Sequence, residues 1–114
     1  MFAALQRQEG AVEWLDPWWH VAAERPDLAT AYERELRAEV GVGHPLFGIA
    51  VAAVGKHDGS DGVLFRVLDG SERLAVVHLT WSRRPEPPPW PATEFFAGLE
   101  LFAELRMRPD HEAQ

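Results

Sequence analysis

Two glutamates lie where a helix should carry core residues, and no other feature of the chain points so directly to chemistry. In the stretch Asp27–Val40, apolar residues recur at helical spacing and form one face: Leu28, Ala31, Tyr32, Leu36 and Val40. Glu35 and Glu39 fall in the middle of that face, one turn apart. A buried carboxylate is unfavourable unless it is paired or protonated, so both residues are candidates for a functional site.

The partners of these glutamates are expected on neighbouring strands. Arg66 and His78 share one face of a predicted hairpin, and a helix packed on that face would bring all four groups together. Two carboxylates and a histidine could bind a divalent metal, share acid–base work or line a ligand pocket, with Trp81 at its rim. The alternative is structural: an internal salt-bridge network, or carboxylates that accept hydrogen bonds from tryptophan indoles.

Two further residues extend the candidate pocket. His44 follows the glycine that ends the helix and could reach back to Glu39. Asp61 belongs to the segment Asp58–Gly62, which resembles half of a calcium loop but lacks the flanking helices and the closing glutamate. This segment is therefore predicted to be a tight turn, and we predict no metal site and no cofactor. Nucleophilic catalysis is disfavoured because no serine lies in a glycine elbow and cysteine is absent.

Tryptophan is frequent, with five in 114 residues. Its side chain combines a large apolar area with one polar group and is enriched where proteins contact partners. Trp90 lies in a proline-rich stretch and is expected to be exposed, while Trp81 ends a strand. Both are candidates for a partner contact, although a small domain also uses tryptophan to fill its core.

The elements that position these side chains follow from periodicity and turn signals. The helix Asp27–Val40 is preceded by Pro26 and ended by glycines, and strands are predicted over residues 46–55, 63–68 and 74–81. Asp69-Gly70-Ser71 predicts a hairpin with a three-residue loop. That register puts one set of residues on a common face and leaves Arg66 and His78 on the other. The set is Val63, Phe65, Val67, Ala75, Val77, Leu79 and Trp81.

The last third of the chain predicts a loop and a helix. Arg83–Pro91 contains five prolines and is predicted to be extended. Thr93 resembles the N-cap of a helix with a stripe of Phe95, Leu99, Phe102 and Ala103, which ends near Arg108 before Pro109 and leaves a loose tail. The predicted fold is α+β, with a three- or four-stranded antiparallel sheet and two main helices packed on it, in the order α-β-β-β-α.

Composition bounds the class of protein. A hydrophobic fraction of 46% in 114 residues predicts a single domain, residues 1–114, with its own core. A net charge of −7 disfavours nucleic acid and favours a small molecule or a basic protein partner. No apolar run reaches signal or membrane-span length, and the absence of cysteine agrees with a soluble cytoplasmic protein. Both strand faces are apolar, so a homodimer that covers one of them fits the pattern.

Several fragments together resemble a group of short bacterial proteins with no established activity. They are ELRAEV, GVGHPLFG, SDGVLF, AVVHLTW before the proline loop, and PDHE. The resemblance spans nearly the whole chain, and AVVHLTW is its most specific fragment. It implies that Glu35, Glu39, His44, Asp61 and His78 are positions to test, without a role for any of them. Where that pattern has two adjacent acids before VLF, this chain has Asp61 followed by Gly62.

Two functional hypotheses follow. The first is a non-enzymatic protein-interaction module of the immunity or regulatory kind, based on small size, negative charge, exposed aromatic residues and the lack of a nucleophile. The second is a small enzyme or ligand-binding domain with a pocket of Glu35, Glu39, Arg66 and His78. Side chains that converge on open space would favour the second, and fully bonded carboxylates without a cavity would favour the first.

Overall fold

The structure, a computed structural model, describes residues 9–114 and has the predicted α+β architecture. Its sheet has five strands instead of the predicted three or four, because short strands at Trp18–Trp19 and Thr93–Phe96 pair with its two edges. One antiparallel sheet contains β1 (Trp18–Trp19), β2 (Val51–His57), β3 (Gly62–Val67), β4 (Leu74–His78) and β5 (Thr93–Phe96), in sequence order. Helices α1 (Val21–Glu24) and α2 (Pro26–Glu39) precede β2. The C-terminal helical segment comprises α3 (Leu99–Phe102), a π-helical stretch (Ala103–Met107) and α4 (Arg108–Ala113).

The central hairpin has the predicted register. Val63 pairs with Val77 and Phe65 with Ala75 across β3 and β4, and residues 68–73 connect the two strands. In that loop Ser71 donates its backbone N–H to Asp69 Oδ1 (3.0 Å). The hairpin therefore confirms the predicted division of its side chains between two faces.

Each face of the sheet is covered by a helical element of the same chain. On the α2 face, α2 packs against alternate strand residues that include Val63, Phe65 and Val77. On the opposite face, which we call the C-terminal face, Leu64 and Val76 pack with the C-terminal helical segment. Both apolar faces of the sheet are therefore covered within the chain.

One predicted element is wrong in its starting residue and another is wrong in type. The strand predicted from Leu46 begins only at Val51, and Phe47 lies exposed in the preceding turns. Thr93 is not a helix cap but the first residue of β5, which pairs with β4. Residues 93–96 form a strand because pairing with β4 directs Phe96 into the core of the C-terminal face. The helix begins only at Leu99, after Gly98.

The helix also continues past the proline that was expected to stop it. Pro109 stands in the first turn of α4, directly after the π-helical stretch, where i→i+5 bonding widens the turn that a proline ring would otherwise crowd. The predicted loose tail is anchored: Trp18 Nε1 donates to Asp110 Oδ2 (2.8 Å) and His111 Nδ1 donates to the Asp16 carbonyl (2.7 Å).

Candidate functional site

Helix α2 places both glutamates in the interior, as predicted. Glu35 is 6% exposed and Glu39 is 0% exposed, one turn apart on the side of α2 that meets the chain after β4. They lie beside Tyr32 and Leu36, which are buried in the core of the α2 face. The helical periodicity therefore located two buried carboxylates correctly.

Their partners are main-chain N–H groups, not the expected basic side chains. Glu39 Oε1 accepts a hydrogen bond from Thr80 N (2.9 Å) and Glu39 Oε2 from Trp81 N (2.8 Å). Glu35 Oε2 accepts from Arg83 N (3.0 Å). We call this group, the two carboxylates with the N–H groups of Thr80, Trp81 and Arg83, the clasp. It attaches the chain leaving β4 to the side of α2.

The surroundings of Glu39 raise the pKa of its carboxyl group. Burial, and secondly the hydrogen bond with Glu35, raise the pKa of Glu39 to about 7. The N–H groups of Thr80 and Trp81 favour the ionised form and lower this pKa, but they do not outweigh burial. The Glu39 carboxyl therefore favours its protonated form over a wider pH range than an ordinary glutamate does.

The clasped loop has an unusual backbone. Trp81 (φ 60°) and Arg83 (φ 61°) both adopt the left-handed region, which costs a non-glycine residue about 1–2 kcal/mol. The loop is further tied by Thr80, whose hydroxyl donates to Glu86 Oε2 (2.7 Å), and by Glu86 N–H, which donates to the Glu39 carbonyl (2.8 Å). The clasp holds a conformation that the loop would not favour alone.

Four side chains that were expected to form one pocket do not converge. Arg66 lies on the C-terminal face and His78 is exposed at the end of β4, because α2 packs on the opposite, apolar face of the hairpin. Side chains alternate along a strand, so Arg66 points away from α2 because its neighbour Phe65 points towards it.

His44 and Asp61 also lie away from the glutamates. The buried His44 ring accepts the Leu46 N–H at Nδ1 (3.0 Å), so in the neutral ring Nε2 carries the hydrogen and donates to the Pro91 carbonyl (3.0 Å). It joins the loop after α2 to the proline loop instead of reaching Glu39. Asp61 is exposed in the turn between β2 and β3.

The partner of Arg66 was missed in the sequence. Its Nε donates to Glu9 Oε2 (3.0 Å), and Glu9 Oε1 lies 3.4 Å from His20 Nε2. A charge inside an apolar strand indicates that a counter-charge exists, but a separation of 57 residues gives no sign of which acid supplies it.

Exposed aromatic side chains flank the clasp. Trp81 is 42% exposed and its ring meets Tyr32 edge-on, with centroids 6.0 Å apart. Trp90 is 52% exposed in the proline loop, and the exposed Val42 lies on the loop that packs against these prolines. We call Val42, Trp81 and Trp90 the aromatic loop surface. Trp90 is exposed as predicted, whereas Trp81, which the strand register placed on the face of Val63 and Phe65, lies beyond the end of β4 and is exposed.

Neither glutamate lines any of the three cavities that we describe. The first lies between α2 and Leu46–Val51, the second beside α3, and the third near the start of α2. Within residues 9–114, no three histidine, aspartate or glutamate side chains are grouped so that they could hold a metal ion. The clasp is thus a set of hydrogen bonds that lies outside these three cavities.

Comparisons with protein-family models, curated proteins and solved structures find no match to this chain. Over residues 9–114, no helix has both the length and the apolar character that crossing a membrane requires. Function must therefore be inferred from the geometry of the chain itself.

Proposed function

We propose that the protein is a non-enzymatic protein-interaction module that contacts its partner through the aromatic loop surface. The observation that carries this proposal is the clasp: the chain buries Glu35 and Glu39 to hold a loop in a strained backbone conformation that leaves Trp81 half exposed. Strain of this kind concentrates at functional segments, and exposed tryptophans are frequent anchors of protein contacts.

The chemistry of this surface suits a protein partner. Arg83 and Arg84 are exposed and Glu86 is half-buried on the same loop, so the local charge is mixed and the apolar area of Trp81 and Trp90 supplies the binding energy. The net charge of −7 acts at longer range and favours a basic partner by electrostatic steering. We further propose an immunity-like or regulatory role in the cytoplasm, consistent with a small chain that lacks cysteine.

The alternative, an enzyme or ligand-binding domain, has less support. Its pocket required Arg66 and His78 beside the glutamates, and they lie elsewhere. A pKa of about 7 for Glu39 suits acid–base chemistry, but both oxygens of that carboxylate already accept main-chain hydrogen bonds. The group has no free oxygen for a substrate.

The test is capture from a lysate of the source organism, followed by calorimetry with the purified captured protein. We expect the double variant Trp81→Ala/Trp90→Ala to weaken binding at least ~100-fold, as loss of two anchor residues does. Leu68→Ala is the matched control, because Leu68 is exposed to a similar degree on another loop. A partner that binds the double variant as well as the unmodified chain would refute the proposed surface. Thermal stabilisation by a metabolite or metal, lost in Glu39→Gln, would favour the alternative.

A further inference from the structure

The outer side of the C-terminal helical segment carries two leucines that contact no core. Exposed residues recur every four positions along it, starting with Glu100 and Leu101 and continuing with Glu104 and Leu105. The leucines are 42% and 62% exposed, whereas the opposite side of the segment is buried on the sheet. The π-helical stretch widens the turn, so residues four apart stay on one side.

A cavity of about 480 Å³ opens beside Leu101. Its walls include Val12, Leu99 and Gly98, and it is the largest of the three cavities described. A volume in this range accommodates large apolar side chains, and pockets of roughly 300–1,000 Å³ are typical of ligand sites. We call this cavity, together with Leu101 and Leu105, the leucine groove.

The rim of the leucine groove is acidic and unneutralised. Glu72 and Glu100 line the cavity, and Glu104 lies one turn further along the helix. All three are exposed, and none takes part in an ion pair between described residues. Two nearby bases pair with other acids, Arg106 with Glu94 and Arg73 with Asp69, and Arg108 forms no ion pair with Glu104. The rim is therefore complementary to positive charge.

A buried donor also faces the groove. Arg66 is 4% exposed and lines the cavity, with its charge neutralised by Glu9, whose Oε2 lies 2.9 Å from Arg66 Nη2. That nitrogen makes no aligned hydrogen bond to any described residue. A carboxylate ligand would meet Glu9 as well as the acidic rim, so the free donor capacity of Arg66 suits an uncharged acceptor such as a peptide carbonyl.

We propose that the leucine groove binds a basic amphipathic segment of a partner protein. Lysine or arginine side chains of that segment pair with Glu72, Glu100 and Glu104, an apolar side chain enters the cavity, and a main-chain carbonyl accepts from Arg66. A helix that lays its apolar side into a groove is a common mode of recognition. This surface lies across the sheet from the aromatic loop surface, so it is independent of the function proposed above. A second copy of this chain also carries −7 and is a poorer occupant.

The test uses a fluorescein-labelled synthetic peptide of leucine and lysine, about four helical turns long, with the full chain. Fluorescence anisotropy should give a Kd on the order of micromolar. Leu101→Ser and the double variant Glu100→Gln/Glu104→Gln should each weaken binding roughly tenfold, the change that loss of about 1.4 kcal/mol produces. Amide shifts in ¹⁵N spectra should cluster at residues 97–105 and at Glu72.

Matched controls separate this site from general charge attraction. Glu24→Gln removes an exposed acid from α1, and Leu68→Ser removes an exposed leucine elsewhere, so both should bind as the unmodified chain does. The proposal is overturned if the peptide does not bind, if Leu101→Ser binds equally well, or if a serine–lysine peptide binds with the same affinity. It is also overturned if the chain is a dimer that Leu105→Lys dissociates.

Discussion

On the α2 face a loop is joined to its helix by buried carboxylates and main-chain N–H groups, whereas the C-terminal face is held by aromatic packing. Phe102 illustrates the second mode: its ring meets Trp18 and Phe96 edge-on, with centroids 5.0 and 5.6 Å apart. Glu39 illustrates the first, since its carboxylate accepts hydrogen bonds from the backbone N–H groups of Thr80 and Trp81. The two faces thus use interactions of different strength and selectivity.

This difference indicates which part of the molecule should change in stability with pH. Apolar burial on the C-terminal face contributes more stability, but it does not change with protonation. The clasp contributes less to the free energy of unfolding, and its contribution depends on whether the Glu39 carboxyl is protonated. The attachment of the aromatic loop surface is therefore expected to vary with pH, while the C-terminal face stays constant.

The largest effect is expected from Phe102→Ala on the C-terminal face. Phe102 is fully buried, and removing a buried phenyl ring costs about 3–5 kcal/mol through lost transfer energy and the cavity that remains. Urea denaturation measures this loss directly. The neighbouring exposed residue supplies the control, since Leu101→Ala should cost less than ~1 kcal/mol. A loss under about 1.5 kcal/mol for Phe102→Ala would show that this face is not the stronger one.

Glu39→Gln should destabilise the fold by about 2–3 kcal/mol at neutral pH. A glutamine amide presents one oxygen and one NH₂ group, so the N–H of Thr80 or Trp81 would lose its acceptor and face a donor. Denaturation of both proteins in the same buffer gives the difference. A change within about ±0.5 kcal/mol, as at a surface site, would mean that the clasp contributes nothing.

Glu35→Gln should cost less stability than Glu39→Gln, because the two glutamates differ in their hydrogen bonds. Only Glu35 Oε2 accepts a loop N–H, from Arg83, so a glutamine there can keep that bond and donate its amide hydrogen to Glu39. We expect a loss below ~1 kcal/mol. If Glu35→Gln lowered the stability as much as Glu39→Gln does, a hydrogen bond between the two carboxyl groups would not explain how both are buried.

Stability should fall as the pH rises through neutrality. The folded pKa of Glu39, about 7, is above the ordinary value of 4.5, so its contribution is complete below about pH 4.5 and is lost as pH rises through about 7. Between about pH 5 and 8 the loss should be on the order of 1–3 kcal/mol. Thermal unfolding across this range measures it, with Trp81 fluorescence reporting the loop. Glu39→Gln should flatten the profile, and an unmodified protein that is equally stable at both ends would contradict the assignment.

Much of the fold could be predicted because its signals are local. Helical spacing located α2 and both buried glutamates, and Asp69-Gly70-Ser71 predicted the hairpin register. The contacts of the glutamates could not be predicted, since every residue except proline has an N–H and only the tertiary path of the loop selects Thr80, Trp81 and Arg83.

Errors arose where local signals competed with distant ones. Thr93 has the side chain of a helix cap, but the pairing of its strand with β4 decides its structure. Likewise Pro109 is a local stop signal that the preceding π-helical stretch overrides. The candidate pocket failed for a similar reason, because sequence alternation placed Arg66 and His78 on one face without indicating which helix covers that face.

The last comparison concerns the contact between the loop after α2 and the proline loop that carries Trp90. Gly43 has φ +95°, and a Cβ there would lie 3.2 Å from Pro88 Cγ, so Gly43→Ala adds backbone strain and a close contact between the two loops. Its expected cost is about 1–2 kcal/mol. Gly70 has φ +84° with nothing near its Cβ position, so Gly70→Ala measures the backbone strain alone.

Comparing the two alanine variants by urea denaturation isolates the contact with the proline loop. Gly43→Ala should be the more damaging, and acrylamide quenching of tryptophan fluorescence should increase in that variant alone, because displacement of Pro88 further exposes Trp90 on the same loop. Equal losses of stability and unchanged quenching in both variants would show that the proline loop moves away from the new methyl group without cost. The aromatic loop surface would then depend on the clasp alone, and its sensitivity to pH should be correspondingly greater.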